Sequence, residues 1–217
     1  MAVRKAITRS KKTFRKKFPS KKNKCMVHCE SILESKAALY FEISPYVKSY
    51  IAQPSREIYY DKDFEPRIYF PDFNVVLLDD SELDVEVKPK SKLYRPDIKE
   101  KFEAIIHRYQ EQDRLFKILT DEVLLCEPFH SNLQKLRYHR RMDQKSDLFL
   151  KIAEQLSQRD FSTLQDVSKI IGYEHHAYDL IAMGYLGTDF RKPLQLTNQV
   201  WLNNNLISEG ENDPFLL

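Results

Sequence analysis

Glycine is nearly absent from this chain, and its positions limit the folds that the sequence can support. The 217 residues contain four glycines, all late in the chain: Gly172, Gly184, Gly187 and Gly210. The phosphate loops of nucleotide hydrolases and the dinucleotide-binding turn of the Rossmann fold both need closely spaced glycines, because the backbone must approach a phosphate there. Residues 1–171 therefore exclude both folds, and any chemistry in this part of the chain must use side chains.

Positive charge is concentrated at the N-terminus. Residues 1–24 carry eleven Lys or Arg and no acid, and the remainder of the chain has a net charge of −8. A basic arm ahead of an acidic body is typical of a DNA-binding extension, because each contact between a cation and a phosphate releases counterions. The alternative is a solvated tail that aids solubility. The arm residues that we predict to bind nucleic acid are Lys11, Lys12, Arg15, Lys16 and Lys17.

The three cysteines, Cys25, Cys29 and Cys126, are too few for a disulfide framework. Cys25, His28 and Cys29 resemble half of a zinc site, but no second ligand pair follows at finger-like spacing, so we expect free thiols. No stretch approaches the ~20 apolar residues that span a bilayer. The N-terminus also lacks the apolar block of a signal peptide, so we expect a cytoplasmic protein.

Hydrophobic periodicity predicts an α/β core followed by a mainly helical part. The predicted core elements are a helix over 30–41, strands over 55–60, 67–78 and 82–88, a helix over 96–112 and a strand over 115–120. Three short helices follow: one over 148–156, one from a capping box at 162–165 to Gly172, and one ending at Gly184. A hairpin of 194–196 with 199–202 would complete the winged-helix order. The predicted boundaries are a basic arm (1–24), a core domain (25–121), a linker (122–144), a winged-helix domain (145–203) and a tail (204–217).

Asp72, Glu86 and Lys88 form the pattern that carries chemistry. Successive side chains of a strand point to opposite faces, so Glu86 and Lys88 share a face. If residues 79–81 form a three-residue hairpin loop, Asp72 lies opposite Lys88, on the face of Glu86. A loop of two or four residues would place Asp72 on the other face. Acids and a lysine on one face can hold Mg²⁺ and orient a water for phosphodiester hydrolysis.

The alternative is that these residues are polar groups on the solvent face of a hairpin. Against it, Asp72 lies among aromatic and apolar neighbours (Tyr69, Phe70, Pro71 and Phe73), and Glu86 interrupts a valine-rich strand. An unpaired carboxylate in such surroundings is costly. These acids therefore need a partner, and a metal ion is a suitable one.

Four segments resemble, in order, the motifs of TnsA-type endonucleases. They are Ser31-Ile32-Leu33-Glu34, Gln53-Pro54, Tyr69-Phe70-Pro71-Asp72-Phe73 and Val85-Glu86-Val87-Lys88-Pro89. TnsA-type endonucleases are subunits of heteromeric cut-and-paste transposases. The resemblance implies an α/β fold with a restriction-endonuclease-like mixed-sheet core and a C-terminal, mainly α winged-helix domain. The motifs cover about residues 25–120.

The resemblance also implies a role for four residues. Glu34 matches a helical metal ligand, Asp72 the aspartate that bridges the metals, and Lys88 the active-site lysine. Glu86 matches a position that is a glutamine in some members, so its direct ligation stays open, and Glu30 is the alternative to Glu34. The implied metal ligands are Glu34, Asp72 and Glu86, and the implied metal is Mg²⁺, with Mn²⁺ able to substitute. Lys90 joins the predicted nucleic-acid-binding residues.

The function implied by the resemblance is cleavage of the 5′ strands at transposon ends in the bacterial cytoplasm. A DDE-class transposase subunit and an AAA+ ATPase regulator would be the protein partners. Two alternatives stay open: a stand-alone restriction or repair nuclease, and a non-catalytic DNA-bridging protein. The predicted third C-terminal helix, His175 to Met183, has no Lys or Arg. We therefore expect the C-terminal domain to bind protein partners rather than DNA.

Overall fold

The structure is a computed structural model that describes residues 16–54, 56–139 and 147–203. Lys11, Lys12 and Arg15 lie outside the described residues, as does the predicted tail. Contacts divide the chain into two compact units, with the main boundary between Leu125 and Cys126. Residues 43–45 are grouped with the second unit.

The first unit is an α/β structure, as the sequence predicts. Its elements are β1 (Lys16–Ser20), β2 (Cys25–Cys29), α1 (Ile32–Ile43), β3 (Val47–Ala52), β4 (Glu57–Tyr60), β5 (Pro66–Tyr69), β6 (Phe73–Leu77), β7 (Glu82–Val87), α2 (Lys90–Leu93), α3 (Pro96–Glu111), β8 (Leu115–Leu119) and α4 (Asp121–Leu124). The central sheet is mixed, with strand order β3-β6-β7-β8. Its first three strands are antiparallel, and β8 runs parallel to β7. A parallel pair needs a long crossover, which α3 supplies here.

Aromatic side chains pack the two helices against opposite faces of this sheet. On one face, the Phe41 ring of α1 lies 5.2 Å from that of Phe73 in β6. On the other face, Phe102, Ile105 and Tyr109 of α3 form a buried cluster with Tyr69. These three residues belong to the apolar stripe expected from the sequence. The odd-numbered residues of β6 and β7 therefore face α1 and form the core on that side. The even-numbered residues of both strands face α3.

The strand predicted over 67–78 is in fact two strands. β5 pairs with β4 in a separate two-stranded sheet, and the chain leaves the extended ladder at Phe70–Asp72 before β6 begins. Pro71 explains the break, because proline has no N–H to donate to a strand ladder. The break places Asp72 just before β6, where its backbone carbonyl accepts a hydrogen bond from the Gln53 N–H (2.9 Å).

The hairpin between β6 and β7 has a three-residue loop, as expected, but the loop lies one residue earlier in the chain. Val76 pairs with Glu82, and the Leu77 N–H donates to the Ser81 carbonyl (2.9 Å), so the loop contains residues 78–80 rather than 79–81. Asp79 stabilises it by accepting hydrogen bonds from the backbone N–H and the hydroxyl of Ser81 (2.9 and 2.6 Å). Continuing this register places Asp72 opposite Glu86, not opposite Lys88. Since the difference is two residues, Asp72 still lies on the face of Glu86.

The predicted basic arm does not extend to residue 24, because β1 and β2 form an antiparallel hairpin that begins at Lys16. Glu42 of α1 fixes the hairpin turn. Its carboxylate accepts hydrogen bonds from the backbone N–H groups of Lys21 and Lys22 (3.0 Å each) and from the hydroxyl of Ser20 (2.7 Å). Cys29 is buried in this hairpin. It is a free thiol, as expected, and so are the exposed Cys25 and Cys126.

The second unit is mainly helical. Its elements are α5 (Phe129–Arg137), α6 (Asp147–Ser157), α7 (Leu164–Ile171), α8 (Glu174–Ala182), β9 (Leu186–Thr188) and β10 (Val200–Leu202). The three helices predicted from the sequence are α6, α7 and α8. The capping box of α7 lies one residue later than predicted, with Thr163 and Asp166 as its members. Gly172 ends α7 in the left-handed conformation (φ 79°), as the sequence indicates.

Two predictions for the second unit are wrong. Residues 126–139 are not part of a linker, because α5 packs within the unit and its Asn132 amide bonds the carbonyls of Phe190 and Lys192 (3.0 and 2.8 Å). Also, β10 pairs with β9 and not with 194–196. The backbone of 194–196 has other partners: the Leu194 N–H donates to Asn132, and the Leu196 carbonyl accepts from Gln165.

None of the helices in the described ranges combines the length and the apolar character that crossing a lipid bilayer requires.

Candidate active site

Asp72 lies where the chain enters β6, and its carboxylate is tied to the neighbouring strand. Its Oδ2 accepts a hydrogen bond of 2.7 Å from the backbone N–H of Val87 in β7. The side chain is half-buried. Asp72 directly precedes Phe73, which pairs with Val85, and this register accounts for the place of Asp72 beside Glu86.

Glu86 is buried on β7, with 3% of its surface exposed, and both of its oxygens have partners. Oε1 lies 2.5 Å from the Nζ of Lys88. Oε2 accepts a hydrogen bond of 2.6 Å from the hydroxyl of Tyr69, at the end of β5. The partner that a buried carboxylate requires is therefore a lysine and a tyrosine of the same unit.

Glu34 is buried in the first turn of α1, and part of its role is structural. Its backbone N–H donates to the hydroxyl of Ser31 (3.0 Å), while its Oε2 accepts from the backbone N–H of Glu30 (2.6 Å). This reciprocal arrangement resembles a capping box and by itself accounts for the S-x-x-E spacing. One oxygen of Glu34 is thus used by the helix N-terminus.

Electrostatic coupling shows that the four predicted site residues lie together. Burial, reinforced by the charges of Glu86 and Glu34, raises the pKa of Asp72 to about 8, against the opposing effects of the Val87 N–H and Lys88. Burial also raises the pKa of Glu34. Burial alone would lower the pKa of Lys88, but its ion pair with Glu86 and the charges of Asp72 and Glu34 raise it. Three carboxylates therefore share one small region with a lysine that stays protonated.

The donor set fits a hard divalent cation. Mg²⁺ usually takes one or two carboxylates and completes its shell with water and phosphate oxygens. Within the described ranges, no three His, Cys, Asp or Glu side chains are placed to hold an ion by themselves. Burial and the charges of Glu86 and Glu34 raise the pKa of Asp72, and a bound cation would offset these effects. A cation would accordingly be held by Asp72 with at most one further carboxylate, and substrate would complete the shell.

Two residues that the sequence analysis did not assign to the site also belong there. Tyr69 holds Glu86, and Lys101 of α3 places its Nζ 5.0 Å from the centroid of the Tyr69 ring. Burial lowers the pKa of Lys101, with the nearby charges of Glu86, Lys88 and Asp72 acting in opposing directions. The sequence contained an indication of this position for Lys101. Lys101 follows Ile98 by one helical turn and precedes Phe102, so it lies at the edge of the apolar face of α3.

The predicted nucleic-acid-binding residues that the structure describes lie on β1 and at the start of α2. Lys16 and Lys17 are exposed on β1. Lys90 begins α2, and its Nζ lies 2.5 Å from a carboxylate oxygen of Glu122 in α4. Lys90 is therefore engaged in an ion pair, while Lys16 and Lys17 lie on a surface that DNA can reach.

The mixed sheet between α1 and α3, with Asp72, Glu86 and Lys88 at neighbouring strands, is consistent with a restriction-endonuclease-like core. Residues 44–121 match the family model described as the TnsA-like endonuclease N-terminal domain. This segment, about a third of the chain, is therefore similar to the endonuclease domain of TnsA-like proteins. The comparison with curated proteins gives no match.

The matched segment contains Asp72, Glu86, Lys88 and Lys101 but begins after Glu34. The role of Glu34 therefore depends on its place in the structure, namely on its burial and on the effect of its charge on Asp72.

Proposed function

We propose that the protein is a Mg²⁺-dependent endodeoxyribonuclease that cleaves the 5′ strands at transposon ends as a subunit of a heteromeric cut-and-paste transposase. The observation that carries this proposal is the joint placement of Asp72, Glu86 and Lys88 inside the TnsA-like segment. The acids share one face, and their mutual repulsion favours the binding of a cation.

The residues divide the work as follows. Bound Mg²⁺, or Mn²⁺ in its place, supplies an activated water and neutralises charge on the phosphate. Asp72 would be the principal metal ligand, and Glu34 would contribute the oxygen that the helix N-terminus does not use. Lys88, protonated at neutral pH, stabilises the negative charge that develops on the phosphate. Glu86 positions the ammonium group of Lys88, and Tyr69 fixes Glu86.

This division explains how a glutamine can serve at the position of Glu86 in relatives. If Glu86 acts mainly by orienting Lys88, an amide oxygen can still accept the hydrogen bond that the carboxylate accepts. Direct ligation of metal by Glu86 would instead need one of its two oxygens to leave Lys88 or Tyr69.

The second unit, which we propose to be a winged-helix domain, binds the protein partners: a DDE-class transposase subunit and an AAA+ ATPase regulator. A DNA-reading helix displays polar and basic side chains to the groove. In α8 the side chains of Tyr178 and Asp179 are buried instead. The Nζ of Lys135 in α5 lies 4.1 Å from the Tyr178 ring centroid, so this helix face packs within its own unit.

The test is strand cleavage by the full chain with its transposase on a plasmid that carries transposon ends, in Mg²⁺ or Mn²⁺. Asp72→Asn and Lys88→Met are each expected to lower the cleavage rate at least about 100-fold, because each removes a charge that acts on the reacting phosphate. Strand-specific end labels should place the cut on the 5′ strand. The control is Glu103→Gln, an exposed residue of α3.

Cleavage by Asp72→Asn at near wild-type rate would end the assignment of this site. Glu86→Gln is expected to be milder than Asp72→Asn, because the amide keeps an acceptor for Lys88 or Tyr69. Cuts confined to the 3′ strands would support the nuclease activity but contradict the proposal that the 5′ strands are cleaved.

A further inference from the structure

Lys101 brings a cation to the active site and lies beside two aromatic rings. Its Nζ lies 5.0 Å from the ring centroid of Tyr69 and 5.3 Å from that of Phe102. Among the residues that the structure describes, no carboxylate oxygen lies within ion-pair distance of this nitrogen. Lys99 differs, since its Nζ is 3.7 Å from Glu103 on the exposed side of the same helix.

The other lysine of the site is already committed. Lys88 lies 2.5 Å from Glu86, and its Nζ is 5.8 Å from the Phe102 ring centroid. Lys88 and Lys101 therefore lie beside the same ring, but only Lys88 has an acid as its partner. Ring faces attract an ammonium group without accepting its hydrogen bonds in the way that an oxygen does. The three N–H donors of Lys101 remain available to an anion.

The substrate needs such a cation. Glu34, Asp72 and Glu86 give this region three carboxylates, and a DNA phosphate brings a further negative charge toward them. Lys88 offsets one of these charges through its ion pair. A positive charge that is held in place but not neutralised lowers the repulsion that the phosphate meets on entering the site.

We propose that Lys101 is a substrate-binding residue that receives a DNA phosphate at the cleavage site, an inference that rests on the nuclease function proposed above. Tyr69 links this phosphate contact to the catalytic acids, because its ring lies against Lys101 and its hydroxyl donates to Glu86. The phosphate and the reacting groups are thereby held by one side chain. The competing explanation is that Lys101 only covers the aromatic cluster of α3.

Binding of a transposon-end duplex to the full-length protein in EDTA separates the two explanations, because no cleavage occurs there. Lys101→Met keeps the unbranched stem and removes the charge. It is expected to weaken binding about tenfold at low salt and to reduce the slope of log K against log salt by about 0.9, the value for one phosphate contact. Lys101→Arg should keep the slope. Lys99→Met, the matched control on α3, should leave both quantities unchanged.

A scan with single uncharged methylphosphonate linkages gives a second readout. The wild-type protein should lose affinity at one linkage near the cut, and Lys101→Met should be insensitive at that linkage. Equal sensitivity of the two proteins, or an unchanged slope in Lys101→Met, overturns the inference. If Lys101→Met does not fold, the same scan is done with Lys101→Arg. Loss of affinity at the linkage that matters in the wild type supports the contact, and unchanged affinity at that linkage refutes it. Failure of the nuclease proposal would be seen in a different experiment, the cleavage assay, because the Asp72→Asn protein would then still cleave DNA.

Discussion

Asp72 is a single residue whose environment makes a measurable prediction. Its pKa rises from an ordinary 3.8 to about 8 in the folded protein without metal. Between these values the folded state keeps a proton on Asp72 that the unfolded state has lost. The free energy of unfolding contributed by Asp72 is therefore fully present below about pH 4, and it is lost as the pH rises through about 8.

The expected result is a melting temperature in EDTA that falls between pH 5.5 and 8.5, with a smaller fall in Asp72→Asn. Mg²⁺ should raise the melting temperature of the wild-type protein most at the upper pH, because it binds the ionised folded state. Asp63→Asn, at an exposed position in the loop between β4 and β5, is the control for a lost surface charge. Parallel curves for the wild type and Asp72→Asn would show that Asp72 keeps its ordinary pKa.

At the scale of residues, the sequence indicated which side chains lie near one another but not how they are held. Alternation along β7 placed Glu86 and Lys88 on one face, and an odd loop length brought Asp72 to the same face. The register was wrong by two residues, because spacing alone does not distinguish a three-residue loop at 79–81 from the loop at 78–80 that Asp79 stabilises. Lys101 was missed because a lysine at the edge of an amphipathic helix has the pattern of an ordinary surface residue.

At the scale of elements, a network around Asp84 holds together the scaffold on which the site is built. Asp84 is buried on β7, with 4% of its surface exposed, two residues before Glu86. It accepts hydrogen bonds from Asn74 of β6 (2.9 Å), from Tyr109 of α3 (2.7 Å) and from Arg114 (2.8 Å). The central strands and α3 are thus fixed to one carboxylate.

Asp84→Ala is expected to lower the free energy of unfolding by about 2 kcal/mol or more, because it removes the acceptor of the buried Tyr109 hydroxyl and one acceptor each from Asn74 and Arg114. Urea denaturation measures the change. Glu103→Ala removes one partner of an exposed pair on α3 and should change stability by less than about 0.5 kcal/mol. An Asp84→Ala protein as stable as Glu103→Ala would mean that the network does not stabilise the fold.

Elements with a strong, uninterrupted pattern were predictable, and the others were not. Pro96 and the stripe of Phe102, Ile105 and Tyr109 identified α3. β3 was missed because its pairing with β6 is irregular between Val47 and Ser49, which disturbs the alternation of apolar residues. β1 was missed because its lysines gave it the composition of a solvated arm, although Phe18 and Ser20 face inward.

At the scale of the whole molecule, the distribution of cations distinguishes the two units. The first unit begins with a hairpin whose exposed strand carries Lys16 and Lys17. The second unit has few cations after Lys151, and one of them, Arg191, lies 2.8 Å from Asp189. Affinity for DNA is largely electrostatic, so contacts with the backbone of DNA are expected on the first unit.

Matched double substitutions in the full chain test this expectation, because each pair removes two positive charges. Replacing Lys16 and Lys17 with Gln should reduce the slope of log K against log salt by about 1.8, at about 0.9 per phosphate contact. Replacing Lys169 and Arg191 with Gln should leave the slope of duplex binding unchanged. The arm residues Lys11, Lys12 and Arg15 can be added to the first pair to extend the reduction. If the second pair flattens the slope as much as the first, the second unit also binds DNA, and its proposed role as the site for protein partners must be abandoned.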